Sequence, residues 1–235
     1  MATNYSYGTA TATNGVKLAY IKTSPNNVLP YRLNPTSSVP NSGKYGINGG
    51  YFGGSSIYSI AVVNGNAVGT GSYDGSFNAR VARGTLIWDP VARAYQVKVI
   101  SDMSEISVED TNNYWAQGGN SMCLGKTESE WKTQTDVDHE DMVSDESGIR
   151  RDENAYRSGL VYNTGLNIWL VVSTNTCTCG KFRAAILEKI GSNTLVDGIF
   201  LDGGGSTQMK CAEVSNAGSE PGRKMPEMVS LINND

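Results

Sequence analysis

Leu166-Asn-Ile-Trp-Leu-Val-Val-Ser173, Lys181-Phe-Arg-Ala-Ala-Ile-Leu-Glu-Lys-Ile190 and Val196-Asp-Gly-Ile-Phe-Leu-Asp-Gly-Gly-Gly-Ser206 follow one another closely. The first and last open as short apolar runs rich in β-branched residues, the pattern of buried strands. Between them, Phe182, Ala185, Ile186, Leu187 and Ile190 recur at three and four residues. That is the period of an amphipathic helix, and Gly191 stands where a helix stops. Strand, helix and strand predict a βαβ unit with parallel strands and a right-handed crossover. Elsewhere hairpins are expected around Asn64-Gly65, Asp89-Pro90 and Asn163-Thr164-Gly165. The fold class expected is therefore α+β (mixed α/β). It is a mostly antiparallel mixed β-sheet with one βαβ crossover, helix at about 181–190, leading into the glycine loop.

The crossover sets Asp202 at the carboxyl end of a parallel strand, where ligand sites of α/β sheets gather. Gly203, Gly204 and Gly205 follow, then the hydroxyls of Ser206 and Thr207. Successive glycines can turn their N–H groups inward to form an anion-binding nest. A second stretch, Tyr45-Gly-Ile-Asn-Gly-Gly-Tyr-Phe52, has the same character: an apolar approach, a polar residue, two glycines and two aromatics. Each run alone also reads as a simple Gly-rich turn.

Asn48-Gly-Gly-Tyr-Phe52 and Leu201-Asp-Gly-Gly-Gly-Ser206 together resemble the phosphodiester glycosidase family, in order and in approximate spacing, over about residues 15–233. That family also has an Arg before a central strand and an Arg soon after the second glycine motif. Arg157 and Arg223 stand in those places. The resemblance implies a hydrolase cleaving the glycosidic bond of a sugar 1-phosphodiester or a nucleotide-sugar-like substrate. Asp202, Asn48 and Arg157 are then the catalytic set. Gly49, Gly50, Tyr51, Gly203, Gly204, Gly205, Ser206, Thr207 and Arg223 line the substrate. No metal and no cofactor are called for.

The chemistry is consistent with those residue types. A phosphodiester leaves a sugar as a weakly basic anion, so strong protonation of the leaving group matters less than for an ordinary glycoside. What remains is to hold the phosphate, which a guanidinium does in a bidentate fork, and to stabilise an oxocarbenium-like state with a carboxylate. Asp202 is the clear carboxylate. Glu105 and Glu109 are candidates for a second. Two other readings stand beside this one: a binding module for a sugar phosphate or nucleotide-like ligand, and a structural domain whose glycines serve packing.

The 235 residues are read as one domain, 1–235, with an acidic surface insertion at about 128–153. That segment has ten acids against three bases, a net −7, so the rest of the chain is about +3 within the total of −4. A weakly positive body suits a small anionic substrate. No Lys/Arg run suggests nucleic acid. No apolar run approaches the ~20 residues of a membrane helix, and the first residues lack the pattern of a secretory signal. His139 is the only histidine and lies in the acidic segment, which argues against His-based nucleophilic or metal chemistry. Cys123, Cys177, Cys179 and Cys211 are expected as reduced thiols, with one disulfide as the alternative.

Overall fold

Alternation along the strands decides which core each residue enters. Leu160, Tyr162, Ile168, Leu170, Val172, Ile199 and Leu201 pack into one core. Their neighbours Val161, Trp169, Val171 and Phe200 pack into another. A sheet covered on both faces explains why these strands read as near-continuous apolar runs. The computed structural model describes residues 4–140, 142 and 149–233.

The sheet in question has six strands, in the order Tyr5–Thr11, Lys17–Thr23, Ile168–Ser173, Ser158–Asn163, Leu195–Phe200 and Asn120–Ser121. Every pairing in it is antiparallel. This corrects the expected βαβ unit. The strands before and after the helix run the same way but are not neighbours, because Ser158–Asn163 lies between them, antiparallel to both. The hairpin at Asn163–Gly165 brings that strand alongside Ile168–Ser173 first. The returning strand Leu195–Phe200 then pairs with its outer edge. The α+β class is corrected with it: the described residues form antiparallel sheets with two α-helices, and the fold is β-rich.

Two five-stranded sheets complete the frame. One runs Ala94–Ile100, Arg83–Asp89, Trp115–Gly118, Ala61–Val63, Asn66–Ala67. The other runs Ala217–Gly218, Gln208–Lys210, Gly46–Asn48, Met225–Leu231, Val28–Ser37. Leu86, Trp88 and Trp115 from the former, and Ile47, Met209, Val229 and Leu231 from the latter, close the first core. Val28–Ser37 falls within a proline-rich stretch that reads as irregular in sequence. Pro30 and Pro35 are accommodated there because the strand lies at a sheet edge, where a missing N–H removes no ladder bond.

The other face of the six-stranded sheet is covered by two helices, α1 (Glu128–Val137) and α2 (Cys179–Lys189). Thr178 caps α2 by accepting from the Lys181 N–H, and Phe182, Ala185 and Ile186 are buried beneath it. α1 lies in the acidic segment, which showed no sustained period. A capping box between Thr127 and Glu130 starts it, and Trp131 is fully buried beside Phe200, ring centroids 5.7 Å apart. Burial of such a ring stabilises by about 2–3 kcal/mol. Glu140, Met142 and Ile149 are buried too.

Candidate functional site

The two glycine motifs meet where the third sheet abuts the first. Asn48 ends strand Gly46–Asn48, and its side-chain amide donates to the Asp202 carbonyl at 2.8 Å, Ser158 Oγ at 3.0 Å and the Gly49 carbonyl at 3.1 Å. Its Oδ1 accepts from the Gln208 N–H at 3.2 Å. Ser158 Oγ donates to the same Asp202 carbonyl at 2.6 Å. The Asp202 N–H donates to the Gly49 carbonyl at 3.3 Å. Asn48 is thus close to Asp202, but its donors and acceptor are taken up in joining the two sheets. It positions Asp202 and has no hydrogen left to give a sugar.

Asp202 keeps a partial opening to solvent. Burial pushes its carboxyl up to about 6, against the pull of the Ser206 hydroxyl, the Arg223 charge and the Gly203 N–H. Ser206 Oγ and Thr207 Oγ1 are otherwise buried without a direct hydrogen-bond partner among the described residues. The glycine loop turns tightly, with Gly204 at a φ of 58°. Several of its N–H groups are occupied by the chain itself: Gly204 donates to the Tyr156 carbonyl, Ser206 to that of Gly203 and Thr207 to that of Gly204.

Arg157 is buried, and its guanidinium is held by carbonyls. Nε donates to Cys177, Nη1 to Ile149, and Nη2 to Arg150 and Glu153. It anchors the 149–157 turn and forms, with Gly203 and Gly204, part of the lining of a cavity of about 240 Å³. Larger cavities, about 430 Å³ each, open near Trp88 and Trp115 and near Tyr20 and Trp169, away from Asp202. Arg223 differs from Arg157. It is exposed, lies 5.7 Å over the Phe52 ring, makes no ion pair among the described residues and is near enough to lower the Asp202 pKa.

Two functional candidates were not legible in the sequence. Glu227, in strand Met225–Leu231, is only 3% exposed. Its Oε2 accepts from the Gly50 N–H at 2.9 Å and occupies the space a Cβ on Gly49 would need, 1.7 Å away. This accounts for the first glycine of the Asn48-Gly-Gly motif by packing. Burial pushes the Glu227 carboxyl up to about 8, against the Gly50 N–H, the Gln117 side chain and the Arg32 charge. Glu227 Oε1 and Gln117 Oε1 are both buried acceptors without a donor.

Arg83, the second, opens strand Arg83–Asp89 and lies 5.1 Å over the Tyr51 ring. Tyr51 is buried, and its hydroxyl donates to Asn120 Oδ1 at 2.5 Å. Burial raises its pKa well above the usual value, Arg83 and Arg157 pull it down, and Asp202 pushes it up. Glu105, by contrast, accepts from the Ser101 and Asp102 N–H groups in a capping box on the second sheet. The Glu109 backbone is held by Asp89 on that same sheet. No group of three or more His, Cys, Asp or Glu side chains able to hold a metal is found among the described residues. None of their helices is long and apolar enough to cross a membrane.

No family model and no curated protein matches the sequence. The fold has solved counterparts. The catalytic domain of zebrafish N-acetylglucosamine-1-phosphodiester alpha-N-acetylglucosaminidase, auto-inhibited by its pro-peptide, superposes with a TM-score of 0.61 at 14% identity, over 98% of this chain and 83% of that one. A hypothetical protein from Synechocystis superposes with a TM-score of 0.53 at 13% identity, over 97% of this chain and 61% of that one. The chain shares its fold, distantly, with the catalytic domain of a phosphodiester glycosidase.

Proposed function

We propose that this chain is a hydrolase that cleaves the glycosidic bond of a sugar 1-phosphodiester or nucleotide-sugar-like substrate at Asp202. One observation carries the reading: a partly open carboxyl, locked at its backbone by Asn48 and Ser158, lies within the charge range of the exposed Arg223 guanidinium, which makes no ion pair among the described residues. Above pH 6 the carboxylate is ionised and stabilises the positive charge that develops at the anomeric carbon, by ion pairing or by attack. Arg223 holds the departing phosphate. The Gly203–Gly205 backbone, Ser206, Thr207 and Tyr51 shape the walls. The distant likeness to a glycosidase catalytic domain supports the class, not the substrate. The domain is taken as the single unit 1–235.

Release of free sugar from an aryl sugar phosphodiester and from a UDP-sugar is the test, run on the parent and on Asp202→Asn. Turnover that vanishes in the variant is expected. Equal turnover in both removes Asp202 from the reaction. Ligand-induced stabilisation of the parent without release of sugar makes the chain a binding module.

A further inference from the structure

Four arginines are buried among the described residues: Arg83, Arg151, Arg157 and Arg183. Three are compensated. Arg157 donates to four carbonyls, Arg183 to the carbonyls of Met122, Cys123 and Lys126, and Arg151 forms a two-pronged pair with Asp136. Arg83 is the exception. It is 3% exposed, yet its guanidinium makes one hydrogen bond, from Nη1 to the Ala79 carbonyl at 2.8 Å. Nε is buried with no acceptor, Nη2 donates to none of the described residues, and no carboxylate pairs with it there. The Tyr51 ring beneath it is its main electrostatic partner.

A cation removed from water without a counter-charge is strongly unfavourable, so a buried guanidinium with idle donors marks a place for an anion. Its position fits. Tyr51 follows Gly49–Gly50, and the Gly49 carbonyl accepts the Asp202 N–H. The next aromatic, Phe52, carries Arg223 at 5.7 Å. Tyr51 and Phe52 pack into different hydrophobic clusters, so the two guanidinium groups lie over separate rings, one enclosed and one exposed.

We propose that Arg83 is an enclosed phosphate-binding subsite beside the Tyr51 ring. Its idle Nε and Nη2 donors form the fork that binds two oxygens of a phosphodiester or phosphomonoester. Arg157, four of whose five N–H donors go to carbonyls, cannot offer a two-pronged fork to phosphate. The inference rests on the proposed function for the sugar that carries the phosphate; the anion site itself does not require that reading.

The probe is inorganic phosphate, compared with chloride at equal ionic strength, by thermal shift and calorimetric titration on the parent, Arg83→Lys and Arg83→Met. Phosphate is expected to stabilise the parent beyond chloride. The dissociation constant rises about tenfold in Arg83→Lys, which keeps the charge without the fork, and binding is lost in Arg83→Met. Without phosphate, Arg83→Met has the higher Tm, because an apolar chain replaces an uncompensated ion. Glucose 1-phosphate against methyl glucoside shows whether the phosphate is read as part of a sugar ester or as a free anion. A parent indifferent to phosphate, or a phosphate response unchanged in Arg83→Met, overturns the proposal. If Arg83→Met does not fold, phosphate binding in Arg83→Lys equal to the parent does the same. No release of sugar by the parent while the Arg83-dependent phosphate response persists would refute the hydrolytic reading alone. Turnover that depends on Asp202 with a phosphate response indifferent to Arg83 would refute the subsite alone.

Discussion

Replacing Glu227 by Gln should flatten the alkaline side of the protein's stability profile. The Glu227 carboxyl titrates near 8 in the folded chain and near 4.5 as an ordinary side chain. A pKa raised on folding means that the native state holds the proton more tightly. Stability from this group is complete below pH 4.5 and is lost as pH rises through about 8. The separation corresponds to about 5 kcal/mol in all, of which roughly 2 kcal/mol is lost between pH 6 and 8. With the residue 3% exposed, solvent screening takes little away. Glutamine imitates the protonated acid at every pH. Its Oε1 can accept the Gly50 N–H and its amide can donate to Gln117 Oε1. Urea unfolding of parent and variant at pH 5, 6, 7, 8 and 9 is the assay. The variant should already be the more stable at pH 5, by about 1 kcal/mol, and the gap should widen up to about pH 8 and level off above it. Parallel curves from pH 5 to 9 would show that Glu227 is not a buried acid and that its two orphaned neighbours are satisfied in another way.

Other consequences are open to direct measurement. Trp131→Ala empties a fully buried site under α1 and should cost about 3–5 kcal/mol, read as a lower urea midpoint. Arg157→Met strips four carbonyls of their donor and should destabilise by more than about 3 kcal/mol, whereas exposed Arg223→Ala should stay within about 0.5 kcal/mol and weaken binding of a sugar phosphate. If the ionised Asp202 acts, kcat/KM should rise with pH through about 6 and level off above it, and a profile flat from pH 4.5 to 7.5 would contradict that role. Asp202→Asn should also raise Tm above pH 6, because it removes a carboxylate that burial disfavours.

The approach of the two glycine motifs was readable from residue order, because such motifs announce places where backbones come close. The meeting of Asn48 with Asp202 is such a case. Sheet order was not readable. Periodicity shows that Ser158–Asn163 and Leu195–Phe200 are strands, but not which edge each finds, and one interposed strand turns an expected parallel pair into antiparallel ladders. Buried charges were hidden for a different reason. Arg83 and Glu227 look like surface residues in a sequence, and Arg157 stands out there only through the family resemblance; their burial depends on acceptors and donors supplied by distant loops. A faint signal existed for Glu227, an acid inside the otherwise apolar run Met225–Leu231, and for Arg83 at the head of Gly84-Thr-Leu-Ile-Trp88. α1 was obscured by its acids, which occupy its solvent side while Trp131 and Thr135 alone mark the inner face.

The amide of Asn48 ties strand ends from two sheets to the backbone of Asp202, so the floor of the cleft is a seam of the core and not a loop laid upon it. On the proposed function, divergence of specificity is confined by architecture. Changes at Asn48, Ser158 or Gly49 alter the seam before they alter recognition. The turn carrying Glu220 to Lys224 is exposed and contributes Arg223 from outside. If Arg223 binds the substrate as proposed, a few exposed positions beside it can change without disturbing the seam beneath.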